Sequence, residues 1–172
     1  SWEQCHVGIT GANGALGKAL TKKFREKGAF VIGLTHSSIA NKKLSSEGPQ
    51  SWVQWECGKE ESLKSTLSSL DILVLNHGIN PKGSQDSNSL DEALEINALS
   101  TWRLMEIFES IVFKNQHKTH PCEIWVNTSE AEIQPALSPG YEISKRLIGQ
   151  LVSIKWNNLN NDQKRSLKIR KL

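Results

Sequence analysis

The chain has 172 residues, enough for one domain with a substantial core, and its 21 Lys and Arg stand against 18 Asp and Glu, a net charge of +3. That balance is too weak to indicate a nucleic-acid surface. No apolar run reaches the length of a membrane span, and the polar opening Ser1-Trp2-Glu3-Gln4 does not read as a signal sequence.

Cys5 to Thr10 predicts a short apolar strand. A helix follows, with Ala15, Leu16, Ala19, Leu20 and Phe24 on one face and Gly28 as its C-terminal cap. Lys22, Lys23, Arg25 and Lys27 fall late in it, where cations suit the helix dipole. "AFVIGLT", Ala29 to Thr35, reads as a buried strand; residues 36 to 51 read as a polar loop with a turn at Gly48-Pro49. "WVQWE" from Trp52 alternates as a strand, and Gly58 to Leu70 reads as a helix. "DILVLNHG" from Asp71 is the clearest buried strand. Ser89-Leu90-Asp91-Glu92 predicts a capping box. It would open a long helix with Leu94, Leu99, Trp102, Met105, Phe108 and Val112 inward. "EIWVNTS" from Glu123 is another strand. "GYEISKRLIGQLVSIKW" from Gly140 is another helix, with Ile143, Leu147, Leu151 and Ile154 inward, and "SLKIRKL" from Ser166 closes as a strand. Alternating strand and helix predicts an α/β fold, a Rossmann-type doubly wound parallel sheet in three layers, as one domain over residues 1–172.

Three glycines, Gly11, Gly14 and Gly17, stand three apart between the first strand and its helix. In that context Gly11 makes the turn, Gly14 lets a pyrophosphate approach the backbone, and Gly17 allows close helix–strand packing. The helix start, Asn13 to Leu16 with Ala15 between, then offers free N–H groups to an anion. The bland alternative is a tight turn without a ligand. Sites that prefer NAD place an acid at the end of the second strand, ~20 residues on. No Asp or Glu occurs between Glu26 and Glu47; the window holds Thr35, His36, Ser37, Ser38, Lys42 and Lys43. Donors and cations suit a 2′-phosphate, so NADP(H) is expected over NAD(H).

Four stretches now stand in order: "TGANGALG" from Thr10, "LNHGI" from Leu75, Asn97 in "EINALST", and "YEISK" from Tyr141 to Lys145. Together they resemble the short-chain dehydrogenase/reductase family over nearly the whole chain. More narrowly, they resemble the dehydrogenase portion of bifunctional sterol desaturase/short-chain dehydrogenase proteins. Tyr141 is the only tyrosine, and residues four apart share a helix face, so Tyr141 and Lys145 point the same way. The resemblance implies that Tyr141 is the general acid/base. Lys145 would favour its phenolate and hold the nicotinamide ribose. It implies a serine that binds the substrate oxygen, Ser129 with Thr128 as the alternative, and an asparagine, Asn97, that holds a water in a proton relay. Asn76, His77 and Gly78 would line the cofactor. The family continues past a sixth strand with a substrate loop and a seventh strand, so the sheet reads as incomplete at its C-terminal end and the chain as part of a longer protein.

Three departures stand out. Leu75 and His77 occupy positions where the family has Asn and Ala, and His77 is expected beside the nicotinamide ribose. Cys57-Gly58 stands where the family has an adenine-contacting Asp. The glycine spacing fits the extended and atypical branches better than the commonest one.

The expected function is an oxidoreductase moving a hydride between NADP(H) and a small-molecule carbonyl or alcohol. The alternatives are a non-catalytic dinucleotide-binding sensor or scaffold, and an epimerase or dehydratase on the same fold. No nucleic-acid partner is expected, and a homodimer is left open. His117, His120 and Cys122 precede the fifth strand, opposite the ligand crevice, and no fourth ligand is evident, so no metal is expected. Cys5, Cys57 and Cys122 are odd in number and lack motif spacing, which reads as reduced thiols in a cytoplasmic compartment. Membrane association of a longer protein stays open.

Overall fold

The structure, a computed structural model, describes residues 2–39, 45–81, 86–115, 119–129 and 138–172. Its strands are β1 (His6–Thr10), β2 (Phe30–Thr35), β3 (Ser51–Gln54), β4 (Ile72–Leu75), β5 (Cys122–Val126) and β6 (Leu167–Lys171). Its helices are α1 (Ala15–Glu26), α2 (Lys64–Ser68), α3 (Ser87–Leu94), α4 (Ser100–Lys114), α5 (Pro139–Asn158) and α6 (Asn161–Ser166). A 3₁₀ turn, Glu60–Leu63, leads into α2, and a π-helical segment, Glu95–Leu99, joins α3 to α4.

All six strands pair in parallel, in the order β3-β2-β1-β4-β5-β6. The chain therefore winds outward from β1 in one direction, returns, and winds outward from β4 in the other. The connections that leave the C-terminal ends of the paired strands β1 and β4 go to opposite faces of the sheet and open a crevice there, the usual place for a ligand in such sheets. This is the doubly wound Rossmann-type fold that the alternation predicts.

The apolar strands are buried on both faces, as parallel sheets require. Ile72 and Val74 of β4 join Val7, Ile9, Phe24 and Val31 on one face. Leu73 and Leu75 join Leu34, Met105, Phe108, Ile124 and Ile148 on the other. The two-residue period of a strand thus splits one apolar run between two cores.

The structure moves several sequence-based expectations. Helix α1 buries Gly17, Thr21 and Phe24, while Leu16 is exposed and Ala15 and Ala19 face outward. Its face is set by Gly17, which lies on the glycine turn itself. Gly28, at φ +89°, follows the cap residue Lys27 as expected. The Gly58–Leu70 segment is a 3₁₀ turn and a short helix rather than one helix. The cap of α3 is Asp86, whose carboxylate accepts the Ser89 N–H at 2.8 Å, so the helix starts earlier than a Ser89 capping box would place it. The inward face of α5 carries Ser144, Lys145, Ile148, Val152 and Lys155; Leu147 and Leu151 flank it, and Ile143 and Ile154 are exposed. Helix α6, with its Asn160/Gln163 capping box, was not anticipated.

Candidate functional site

The glycine turn separates two demands. Gly11 takes φ +64°, and a Cβ there would meet the Asn76 carbonyl oxygen at 2.7 Å. A Cβ on Gly17 would lie 2.2 Å from the Gly11 oxygen and 2.7 Å from Ala12 Cα. The fold itself requires both. Gly14 differs: its Cβ would meet only the Gly11 oxygen, at 3.4 Å, an ordinary contact. Gly14 caps the 12-residue α1 at an ordinary φ of −71°, with no side chain bonded across the helix start. Its bareness keeps the helix N-terminus open to the crevice, where free N–H groups and the helix dipole favour an anion. The residues thus fit the pyrophosphate of a dinucleotide.

At the end of β2, Asn13 Nδ2 donates to Thr35 Oγ1 at 3.4 Å and joins the glycine turn to that strand. Thr35 Oγ1 also accepts the Ser37 N–H at 3.1 Å. His36 is exposed and packs against the buried Trp55, ring centroids 4.3 Å apart and planes tilted by 40°. Its Nδ1 lies 3.0 Å from the Trp55 carbonyl, which can only accept, so Nδ1 carries the hydrogen. Its Nε2 lies 3.8 Å from Cys57 Sγ. Lys42 and Lys43 fall outside the described residues.

At the end of β4, Thr10 Oγ1 accepts the N–H groups of Asn76 at 2.8 Å and His77 at 3.2 Å. Its one hydrogen has two acceptors in reach, the Val74 carbonyl at 3.3 Å and His77 Nδ1 at 2.9 Å. Burial, with His36 and Lys145 adding to it, lowers the His77 imidazole to about 3. The ring meets Trp55 edge-on at 5.1 Å and His36 at 6.1 Å. Its ring contacts lie toward His36 and Trp55, just past the ends of β2 and β3.

The π-helical segment presents Asn97, which is buried. Its Oδ1 accepts the Ile79 N–H at 2.7 Å, and its Nδ2 donates to the Ile79 carbonyl and the Ser144 hydroxyl, each at 2.9 Å. A Cβ on Gly78 would come within 2.8 Å of Asn97 Oδ1. Asn97 therefore pins the loop after β4 to α5. The segment itself is held by Arg103, which bonds Glu95 and, at 2.9 Å through both Nε and Nη2, Glu60. Burial would raise the Glu60 carboxyl; Arg103 and the Gly58 N–H outweigh it and hold the group at about 2.

On α5, Tyr141 and Lys145 do share one face, with Lys145 Nζ 5.7 Å from the Tyr141 ring centroid. Lys145 is 4% exposed, and burial lowers its ammonium to about 8. Nζ donates to the Asn127 carbonyl at 2.9 Å, while Asn127 Nδ2 donates to Asn76 Oδ1 at 2.8 Å and Asn76 Nδ2 to the Gly11 carbonyl at 3.4 Å. A chain of hydrogen bonds so connects the lysine to the glycine turn.

These groups line a cavity of about 720 Å³, within the range of small-molecule sites. Gly11, Asn13, Gly14, Ala15, Leu16, Thr35, His36, Ser37, Asn76, His77, Gly78, Tyr141 and Lys145 all face it. Gly17 lies beneath the turn and Asn97 behind the loop. Thr128 is buried and Ser129 takes a left-handed φ of +67°; neither is among the cavity's lining residues. Asn127, Cys57, Ile79 and Ile96 also line the cavity and were missed. A separate cavity of about 510 Å³ lies at the opposite ends of the strands, beside His120 and Cys122. There His120 Nε2 is 3.4 Å from Asp71, and His117 is outside the described residues. Among the described residues, no three metal-ligating side chains gather and no helix is long and apolar enough to cross a membrane. All three cysteines are unbridged.

The chain is 42% identical over 151 residues to a monoglucosyldiacylglycerol epimerase from Synechocystis; that stretch is 87% of the chain and 37% of the relative's length. A short-chain dehydrogenase from Burkholderia cenocepacia, solved with NADP, superposes with a TM-score of 0.80 at 19% identity, covering 99% of this chain and 72% of its own. A 3-ketoacyl-(acyl-carrier-protein) reductase from Brucella melitensis, solved with NADH, gives 0.82 at 22% identity, with 99% and 75% covered. Those two likenesses establish the fold. The narrower resemblance to sterol desaturase fusions draws no support from these relatives. Residues 7–152 match the family model described as the NAD dependent epimerase/dehydratase family. That match runs from β1 into α5 and takes in every element that frames the cavity, so the chain belongs to the NAD dependent epimerase/dehydratase family.

Proposed function

We propose that this chain forms the cofactor-binding and proton-transfer part of an oxidoreductase that moves a hydride between NADP(H) and a carbonyl or alcohol carbon. The carrying observation is that Tyr141 and Lys145 share one face of α5 and line the same cavity as the open helix start at Gly14. When bound, the nicotinamide supplies or takes the hydride. A carbonyl that gains a hydride on carbon needs a proton on oxygen, and Tyr141 delivers it. The Lys145 ammonium, fixed by the Asn127 carbonyl, favours the ionised phenol that remains. The family resemblance gives polarisation of the substrate oxygen to Ser129, with Thr128 as the alternative; both follow β5 but lie outside the cavity lining. Asn97 acts through the loop it holds, because its amide is engaged by Ile79 and Ser144. Support for NADP(H) is the acid-free stretch from Phe30 to Ser46, with His36 and Ser37 at the cavity.

The test uses the whole protein that contains this chain. Tyr141→Phe keeps the ring and removes one oxygen, so packing and cofactor binding should hold. Turnover should fall by ~10²–10⁴, the usual worth of a general acid–base step. Near-normal turnover in the variant would sink the assignment. NADPH binding without turnover in any form would favour the sensor reading.

A second reading has its own support in the family model and in the epimerase relative. There the hydride is withdrawn from a sugar carbon and returned to its other face, with no net cofactor consumption. Tyr141 would take the hydroxyl proton and give it back. Product formed without stoichiometric NADPH oxidation selects this reading.

A further inference from the structure

We propose that Arg103 positions the wall of the dinucleotide cavity from outside it: by clamping Glu60 and Glu95 together, its guanidinium fixes the Cys57–Gly58 turn and the Ile96–Asn97 stretch, and a dinucleotide binds tightly only while both are held. The proposal rests on the dinucleotide-binding reading above and adds a positioning residue to it.

The first observation is the clamp. Arg103 stands in the first turn of α4. Its Nε and Nη2 each donate to one oxygen of Glu60 at 2.9 Å, while Nη1 and Nη2 donate to Glu95. One planar cation thus joins two carboxylates, one from the 3₁₀ turn before α2 and one from the π-helical segment before α4. An arginine fork fixes direction as well as distance, which the point charge of a lysine does not. None of the three residues lines the cavity.

The second observation is what each carboxylate holds. Glu60 is buried and accepts the Gly58 N–H at 2.9 Å, and Cys57, the residue before Gly58, is in the cavity wall. Behind that turn there is open space. A Cβ on Gly58 would meet no atom within 4 Å, and Gly58, Glu60 and Arg103 line a separate cavity of about 380 Å³. Packing does not hold the turn from that side, so its hydrogen bonds have to. Glu95 opens the π-helical segment. The next two residues are Ile96, in the cavity wall, and Asn97, whose Oδ1 accepts the Ile79 N–H at 2.7 Å. A π turn closes over one residue more than an α turn and is rarely kept without an outside restraint. A segment that relaxed to α-helix would turn Asn97 away from Ile79, itself a wall residue.

The third observation is the burial of Glu60. Without the guanidinium its carboxylate would be left buried and unpaired, a costly state that the turn relieves by opening to water. Loss of the fork therefore moves the wall instead of leaving it in place.

The test uses the whole protein that contains this chain. It measures the dissociation constants of NADPH and NADH and, without dinucleotide, the amide hydrogen exchange of Gly58 and Ile79, read by magnetic resonance on isotope-labelled protein. Arg103→Lys keeps the charge and loses the fork. It should raise both dissociation constants about tenfold, the scale on which residues away from a ligand modulate its binding. It should also speed exchange at Gly58 and Ile79 while the amides of β1 and β4 stay as protected as in the wild type. A residue that only stabilised the fold would speed all of them together. Glu95→Ala leaves the Glu60 arm intact, so it should speed Ile79 alone and weaken binding less; it carries the test if Arg103→Lys does not fold. Wild-type affinity in Arg103→Lys, wild-type affinity and Ile79 exchange in Glu95→Ala, or exchange that quickens across β1 and β4 as much as at the two named amides overturns the proposal and leaves the dinucleotide reading standing. A wild-type protein that binds neither NADPH nor NADH overturns both.

Discussion

Lys145 is the residue with the least room for alternatives. Its ammonium is almost wholly buried and held at 2.9 Å by the Asn127 carbonyl. Burial favours the uncharged amine, so its proton is lost near about 8 instead of 10.5. The proposed site needs the charged form. Cofactor affinity and Tyr141-dependent turnover should therefore both decline as pH rises through about 8, measured as pH profiles of binding and of kcat. Lys145→Ala should lose rate and affinity together; a variant that loses only one would divide the two roles. Tyr141 and Lys145 were legible in the sequence because a four-residue spacing on a helix has a direct geometric meaning. Asn127 was not, since it serves Lys145 with a backbone carbonyl, which no side-chain pattern encodes. The orientation of His77 was hidden too: it follows from Thr10 and Trp55, which lie 67 residues before it and 22 before it in the chain.

At the scale of elements, the glycine turn makes a paired prediction. Gly17→Ala drives a methyl into the backbone of Gly11 and Ala12, where nothing can rotate aside. It should cost ~1–3 kcal/mol or more, as overpacking does, and thermal unfolding should report it whether or not cofactor is present. Gly14→Ala meets only ordinary contact and an allowed φ. Its stability should change by no more than ~1 kcal/mol, while dinucleotide affinity falls, because the added methyl projects where the pyrophosphate would lie. Equal behaviour of the two variants would mean that the turn serves the fold alone. Element existence was legible wherever an apolar run or a three-to-four-residue period stood out, as in β4 or α4. The inward face of α5 was not, because Ser144, Lys145 and Lys155 occupy it and push the apolar residues to its flanks. Polar contacts write that stripe: Lys155 meets Glu109 and Trp102, Ser144 meets Asn97, and Lys145 meets the Asn127 carbonyl. Helix α6 has six mostly polar residues and no buried face, so only its capping box marks it.

For the whole molecule, two buried titratable groups set the acid side of stability. His77 takes up its proton near about 3 in the fold but near 6.5 when unfolded. The unfolded chain therefore binds more protons between those values, and stability falls as pH drops from 6.5 toward 3. Glu60, at about 2 against 4.5, contributes its stability above 4.5 and loses it only as pH falls from there toward 2. Between pH 6.5 and 4.5, His77 alone of the two acts. The melting temperature should decline over that interval, and His77→Ala should flatten the decline even if it lowers the plateau at pH 8. An unchanged slope would remove His77 as the cause.

The strand order also has a consequence for how the chain assembles. β1 pairs first with β2, 24 residues on, but its other edge waits for β4, with Val7 meeting Ile72. Until residue 75 is available, β1 shows an open row of backbone donors and acceptors, the kind of edge that invites wrong pairing. After that, β5 adds to β4 and β6 to β5, each onto the edge its predecessor has just exposed. The crevice that receives the ligand is the same seam, between β1 and β4, that closes latest relative to the first strand's synthesis. A nascent chain long enough for β3 but short of β4 has half a sheet and no binding site, and the first moment at which a dinucleotide can select the folded form is the arrival of Asn76 beside Gly11.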